Sequence, residues 1–220
     1  MAALPVFDRN NLNSRAYLAL RKGLMAGVFK PGQKMLLRPL ALELGISVTP
    51  VREALLQLVS EQALVTDSSR SIVVPVLTRE RYHEIRDLRV DLEGKAAAAA
   101  AKHVTPEDLR TLADIHQKMI KARARGDFRE SLILNELFHF SAYSLARMPV
   151  MQRIIESLWV QMGPILNRIY GKGVAYQPEH AHVRLIDALK RRHAGDAKKA
   201  IADDILWASP ILEAELEPQR

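Results

Sequence analysis

The sequence predicts a mainly helical chain in two parts: a small N-terminal unit of three helices closed by a two-stranded β-hairpin, and a larger all-helical antiparallel bundle. Three observations predict it. Helix-spaced apolar residues before residue 62 are punctuated by short turns rich in Pro and Gly; β-branched runs follow at 64–65 and 72–76; beyond residue 82 only helix caps and brief breaks interrupt the pattern. At 220 residues and 48% hydrophobic composition the chain can bury a proper core, which excludes disorder as its main state.

The first helix covers residues 14–26, where Leu18, Leu20, Leu24 and Met25 recur at roughly helical spacing with Arg15, Arg21 and Lys22 between them. Lys30-Pro31-Gly32-Gln33 ends the pattern, because proline fixes φ and lacks a donor while glycine permits a tight turn. A second helix begins near Arg38 with Leu40, Ala41 and Leu44 inward, and Gly45 stands where a left-handed C-terminal residue is wanted. The third spans residues 50–62. Pro50 suits its first turn, Glu53 adds an early negative charge, and Ser47 or Thr49 is placed to accept from free amides. Leu64-Val65 and Ile72-Val73-Val74-Pro75-Val76, separated by the polar Asp67-Ser68-Ser69-Arg70-Ser71, read as a two-stranded wing. The chain thus divides into a unit at 1–76, a linker at 77–81 and a helical unit at 82–220. In the helical unit, breaks at Thr105-Pro106-Glu107, Gly126-Asp127, Met148-Pro149, Gly171-Lys172-Gly173 and Ala194-Gly195-Asp196 separate six or seven helices, and the alanines at 96–101 let a neighbouring helix approach closely.

The formal charge of +7 leans towards a polyanionic partner. Residues 1–78, with nine Lys or Arg against five Asp or Glu, are more basic per residue than 79–220, with 23 against 20. Without cysteine there is no disulfide framework, thiolate metal site, cysteine nucleophile or thiol redox sensor. Polar residues at 8–13 stand where a signal peptide needs its apolar stretch, and no window reaches about 18 uninterrupted apolar residues. A cytoplasmic protein with no membrane partner is expected.

Three helices and a wing, with a tight turn before the third helix, make a winged helix-turn-helix, in which that helix enters a major groove and the wing lies along the backbone. Ser47, Thr49 and Arg52 carry groups that reach phosphates or base edges, Arg52 being able to bind guanine bidentately, and Arg38 and Arg70 flank them as phosphate contacts. Helix caps at Ser47 and Thr49 and a solvated Arg52 account for the same residues without DNA. The string Gly45-Ile46-Ser47-Val48-Thr49-Pro50-Val51-Arg52-Glu53-Ala54-Leu55, preceded by Lys30-Pro31-Gly32-Gln33 and Leu40-Ala41, resembles the GntR family of bacterial transcriptional regulators over about the first 76 residues. The resemblance implies that Ser47, Val48, Thr49 and Arg52, together with Arg38 and the wing tip at Arg70 and Ser71, contact double-stranded operator DNA. Val48 stands where the family often has Arg, Leu37 where it has an acidic residue and Ser71 where it has Gly.

In the helical unit Asn135 and His139 lie four apart on one face, and His182 begins another helix. That arrangement suits an inward metal site, or buried and hydrogen-bonded residues lining a cavity. Arg86 and Arg89 are spaced for neighbouring faces, and an Arg turned into the bundle needs an anion, from Glu93 one turn on or from a ligand carboxylate. Asn167 is a further polar group for the same cavity, while His83, His103, His116 and His193 are assigned to the surface. Residues 80–208 resemble the FCD ligand-binding domain of the FadR subgroup, on Arg89-Val90-Asp91-Leu92-Glu93 with the alanine run, Gly126-Asp127, Asn135-Glu136-Leu137-Phe138-His139, and His182 through Ala188-Leu189 to Gly195-Asp196. This resemblance implies an effector site with a small organic acid or related metabolite as ligand, and Arg86, Arg89, Asn135, His139, Asn167 and His182 are its candidate residues. It also implies a divalent metal (zinc, nickel or manganese) on Asn135, His139 and His182, with a further His where this chain has Trp207. Indole cannot ligate such an ion.

Paired operator half-sites call for a homodimer. The combined expectation is a ligand-responsive DNA-binding regulator, acting as a repressor, whose effector shifts the winged units through the linker. Two other classes stay open: a metal-dependent helical-bundle enzyme, for which Glu136 to His139 supplies one Glu-x-x-His match without a partner, and an architectural nucleic-acid binder with no cavity.

Overall fold

A computed structural model describes residues 12–171 and 179–216, with the side chains of 167–171 and 179–180 outside the described set. The chain begins with α1 (Leu12–Met25), α2 (Leu37–Leu44) and α3 (Val48–Ser60). α1 buries Ala16, Leu20 and Leu24, a stripe repeating every four residues, and packs on α3 through Val51, Ala54, Leu55 and Leu58. Gly45 follows α2 at φ 65°, and the amides of Gly45 and Ile46 return to the carbonyls of Leu42 and Ala41 at 3.2 and 3.0 Å. This paired closure turns the chain sharply into α3. Ser47 stands at the N-cap of α3 but makes no side-chain cap bond, contrary to the capping role its position suggests.

The wing is shorter than its β-branched runs. Only β1 (Val65–Thr66) and β2 (Ile72–Val73) pair, antiparallel, with Val65 opposite Val73 and Thr66 opposite Ile72. Val74 turns inward instead, and the segment at 33–35 lies along the other edge, bonding Met35 N to Ile72 O at 2.8 Å and Val74 N to Gln33 O at 2.9 Å. That segment covers an edge strand that would otherwise expose unpaired amides.

α4 (Arg79–Ala100) starts at the N-cap Thr78, so residues 79–81, expected in a linker, already open the first bundle helix. It is followed by α5 (Pro106–Ala124), α6 (Phe128–Ser144), α7 (Pro149–Gly171), α8 (Glu179–Lys190) and α9 (Ala194–Glu213). The predicted breaks act as caps: Thr105 and Asp108 form a reciprocal capping box, Asp127 caps α6, and His193 accepts from Asp196 N at the head of α9. Gly171 closes α7, and the rest of the Gly171-Lys172-Gly173 break falls outside the described residues. α4 and α9 pack along one another with small residues on both, Ala96, Ala97 and Ala100 against Ala197 and Ala200. α5 pairs with α6 and α8, and α8 with α9. Within this apolar packing Arg89, Glu93, His116, Asn135, His139, His182 and Asp204 are all buried, a concentration of polar groups that needs internal partners.

Candidate functional site

At the reading end, Ser47, Thr49 and Arg52 are exposed along the start of α3, and Arg38 is exposed on α2. Arg70 is exposed at the wing tip in the left-handed region at φ 62°. Asp67 holds that tip: its Oδ1 accepts from Ser69 N, Ser69 Oγ and Ser71 N at 2.7 to 2.8 Å. Arg38, Arg52 and Arg70 have no acidic partner among the described residues, whereas Arg21, Arg86, Arg89 and Arg191 are all paired. Exposed cations without internal neutralisation, as at Arg38, Arg52 and Arg70, suit contact with a phosphate backbone. Val48 is half-buried against the core of the unit, and Ser71 is half-buried at the base of the tip.

In the bundle, α6, α8 and α9 converge. His139 Nε2 lies 3.2 Å from His182 Nε2 and 3.3 Å from Asp204 Oδ2. The other nitrogen of His139, Nδ1, is 2.9 Å from the Tyr143 hydroxyl, which donates to Glu93 Oε2 at 2.6 Å. Glu93 in turn takes Arg89 Nε at 2.5 Å, and Arg89 lies 4.6 Å over the ring of Trp159. This chain sets a tautomer. Burial and the neighbouring Glu93 raise the Tyr143 pKa well above its ordinary value, so the hydroxyl keeps its proton and gives it to Glu93. With a proton on Nδ1 facing that hydroxyl, His139 would present its Nε2 lone pair to an ion held between it, His182 and Asp204. Burial opposes the charge on Arg89, but Glu93 outweighs it and raises the pKa. Burial lowers the His182 pKa to about 3, so that ring is neutral, and its Nδ1 finds no partner among the described residues. A cavity of about 40 Å³ opens beside the cluster, with Arg86, Arg89, Asn135, His139, Trp159 and Asp204 among its walls.

The architecture has counterparts in known proteins. The model of the bacterial regulatory proteins of the gntR family matches residues 12–74, and the FCD domain matches residues 84–205. The HTH-type transcriptional regulator McbR of Escherichia coli (strain K12) is 39% identical over 151 residues, 69% of this chain and 68% of that protein. The chain belongs to the gntR family, with an FCD domain. The solved structure of E. coli McbR/YncC superposes with a TM-score of 0.88 at 33% identity, over 94% of this chain and 99% of that one. The Nta operon transcriptional regulator of Aminobacter aminovorans is 29% identical over 132 residues, 59% of this chain and 61% of its own length. A regulator from Rhodococcus shares the fold, with a TM-score of 0.76 at 19% identity over 94% of this chain and 100% of that one. The relatives are named as transcriptional regulators rather than enzymes, and this chain is a ligand-responsive, DNA-binding transcriptional regulator. None of its described helices is long and apolar enough to cross a membrane.

Of the regulator's expected sensing residues, Arg86, Arg89, Asn135 and His139 line the cavity. His182 stands behind His139, and the side chain of Asn167 lies outside the described residues. Trp207 does not reach the imidazoles: it is 43% exposed on α9, and the residue that meets them is Asp204, one turn earlier. The signal was an acid at 204 in the stripe Ala197, Ala200, Ile201, Ile205, Ser209 and Leu212, which carries no other charge. His116, assigned to the surface, is 3% exposed, because it shares a face of α5 with Leu112 and Met119 and sets its ring edge-on to His182 at 5.4 Å. His103 and His193 are exposed and His83 is half-buried.

Proposed function

We propose that this regulator is a homodimer that reads paired operator half-sites through Ser47, Thr49, Arg52, Arg38 and Arg70. Its bundle, on this reading, takes a divalent ion together with a small carboxylate effector. A reading unit through residue 76 and a sensing unit that opens with α4 accompany that reading. The observation that carries it is the convergence of His139, His182 and Asp204, whose ligand atoms lie within 4.8 Å of one another inside the bundle. Two imidazoles and a carboxylate suit zinc, nickel or manganese, with the nitrogen donors favouring the first two. Asn135 Oδ1, buried beside the cavity without a partner among the described residues, is a further oxygen donor. The bound ion would supply a Lewis-acidic centre at which an effector oxygen completes the shell.

The chain's own residues do the orienting. Glu93 and Tyr143 keep the Nδ1 proton of His139 in place, and with it the Nε2 lone pair aimed at the site. Arg86 is the arginine fitted to a carboxylate. Its partners Asp87 and Glu213 are partly exposed and exchangeable, while Arg89 is already neutralised by the buried Glu93. A 40 Å³ cavity holds an ion and a few waters, so an effector of more than a few heavy atoms must widen it. A ligand that prefers the widened form shifts the equilibrium between arrangements.

Titration of the chelator-treated chain with Zn²⁺, Ni²⁺ and Mn²⁺, followed by calorimetry and thermal unfolding, tests the ion. One ion per chain and a raised Tm are expected, lost in His139→Ala and Asp204→Ala and retained in Trp207→Ala. A parent chain that binds none of the three overturns the reading. A thermal-shift screen of small carboxylates, repeated on Arg86→Ala, tests the effector.

A further inference from the structure

One helix joins the cavity to the reading unit. Trp159, Met162 and Leu166 of α7, spaced three and four apart, wall the cavity. Glu156 and Gly163, seven apart and so nearly in line, form the neighbouring stripe at about 100° per residue. The last turn of α1 is docked on that stripe. A Cβ added to Gly163 would fall well inside contact distance of the Leu24 carbonyl oxygen and 2.7 Å from the Cα of Met25. Any side chain there meets backbone, which cannot swing aside as a flexible side chain would. Pro164, next in sequence, has no amide to offer the carbonyl of Val160, so the α7 ladder is interrupted at the same point. One turn back along α1, Arg21 directs NH1 and NH2 to Glu156 Oε2 at 3.1 and 3.0 Å.

α1 in turn is bound to the reading helix. Leu20 and Leu24 are buried in the core they share with α3, and Tyr17 donates to Glu61 at the end of α3 at 2.8 Å. Arg81 adds a second tie, its NH2 reaching Gln62 after α3 at 2.7 Å and Gln161 on α7 at 2.8 Å. The apolar core runs unbroken from Leu24 and Met25 to Trp159 and Val160.

We infer that Gly163 and Glu156 are positioning residues for operator recognition: they hold the winged unit in one pose on the cavity helix, through α1. The reading unit is therefore seated on the sensor by a backbone-to-backbone contact as well as tethered by the chain at 74–79. This goes beyond the proposed ion and effector and does not depend on either.

The cysteine-free chain allows a direct test. Nitroxides on Gln57→Cys in α3 and Lys118→Cys in α5, both exposed positions, report the distance between the units by dipolar electron spin resonance, with labelled chains diluted into unlabelled ones. The parent should give one narrow distance. Gly163→Ala should broaden or displace it, and so should Glu156→Arg, which sets two cations against each other. Arg21→Glu combined with Glu156→Arg should restore it, a rescue that mere loss of stability would not produce. Sequence-selective affinity for DNA fragments selected by the parent should fall about tenfold in each single variant and recover in the charge-swapped pair. If Gly163→Ala does not fold, the charge pair decides. Distances and affinities unchanged in the folded single variants, or no rescue by the swap, overturn the inference.

Discussion

Arg52 stands exposed in the second turn of α3 with no acidic partner among the described residues, so its guanidinium gives up no ion pair when it meets a base edge. Arg52→Ala should weaken selected DNA by about 1–3 kcal/mol while unselected DNA loses less, and equal losses on both would make Arg52 a phosphate contact instead. Tyr143 has the opposite setting, buried and bonded on both sides. Tyr143→Phe leaves a lone pair of Glu93 and the Nδ1 proton of His139 unmatched, which should cost about 1–3 kcal/mol in urea unfolding. Neither difference shows in the residue letters. Arg52 and Arg89 both belong to helical runs; Glu93 one turn on marks a partner for Arg89, but only the fold shows that this pair is buried while Arg52 stays exposed. The misplacement of His116 has the same source, since one polar letter on an amphipathic helix does not say whether the next helix covers it.

At the scale of elements, local chemistry carried most of the information. Gly45 closes α2 in the left-handed region with open space around the position of a Cβ, so Gly45→Ala tests backbone conformation without a clash. It should destabilise the chain by about 1 kcal/mol, measured as a lower urea midpoint at unchanged slope. Thr105, Asp127 and Gly126 mark helix ends for equally local reasons. The wing was harder to read. Val74 continues a β-branched run but turns into the core, because the segment at 33–35 arrives from elsewhere in the chain to pair with it.

For the molecule as a whole, the buried polar cluster ties stability to pH. His182 is held neutral by burial, with its pKa lowered from 6.5 to about 3. A histidine depressed on folding contributes stability that is full above its unfolded pKa and is lost as the pH falls towards the folded one. The chelator-treated chain should therefore lose stability from about pH 6.5 downwards, at up to about 1.4 kcal/mol per pH unit from this group, and His182→Asn should flatten that dependence. A pH profile unchanged by His182→Asn would remove His182 as its source.

The sequence by itself determined the helices, the turn before α3 and the cationic, hydroxyl-bearing surface at 47–52, because each follows from residues within a turn or two of one another. The tertiary structure alone decided that Asp204 rather than Trp207 meets the two imidazoles, that Tyr143 links Glu93 to His139, and that Gly163 admits the end of α1. Those facts depend on helices far apart in the chain, and side-chain spacing along one helix cannot state which of its faces another will cover.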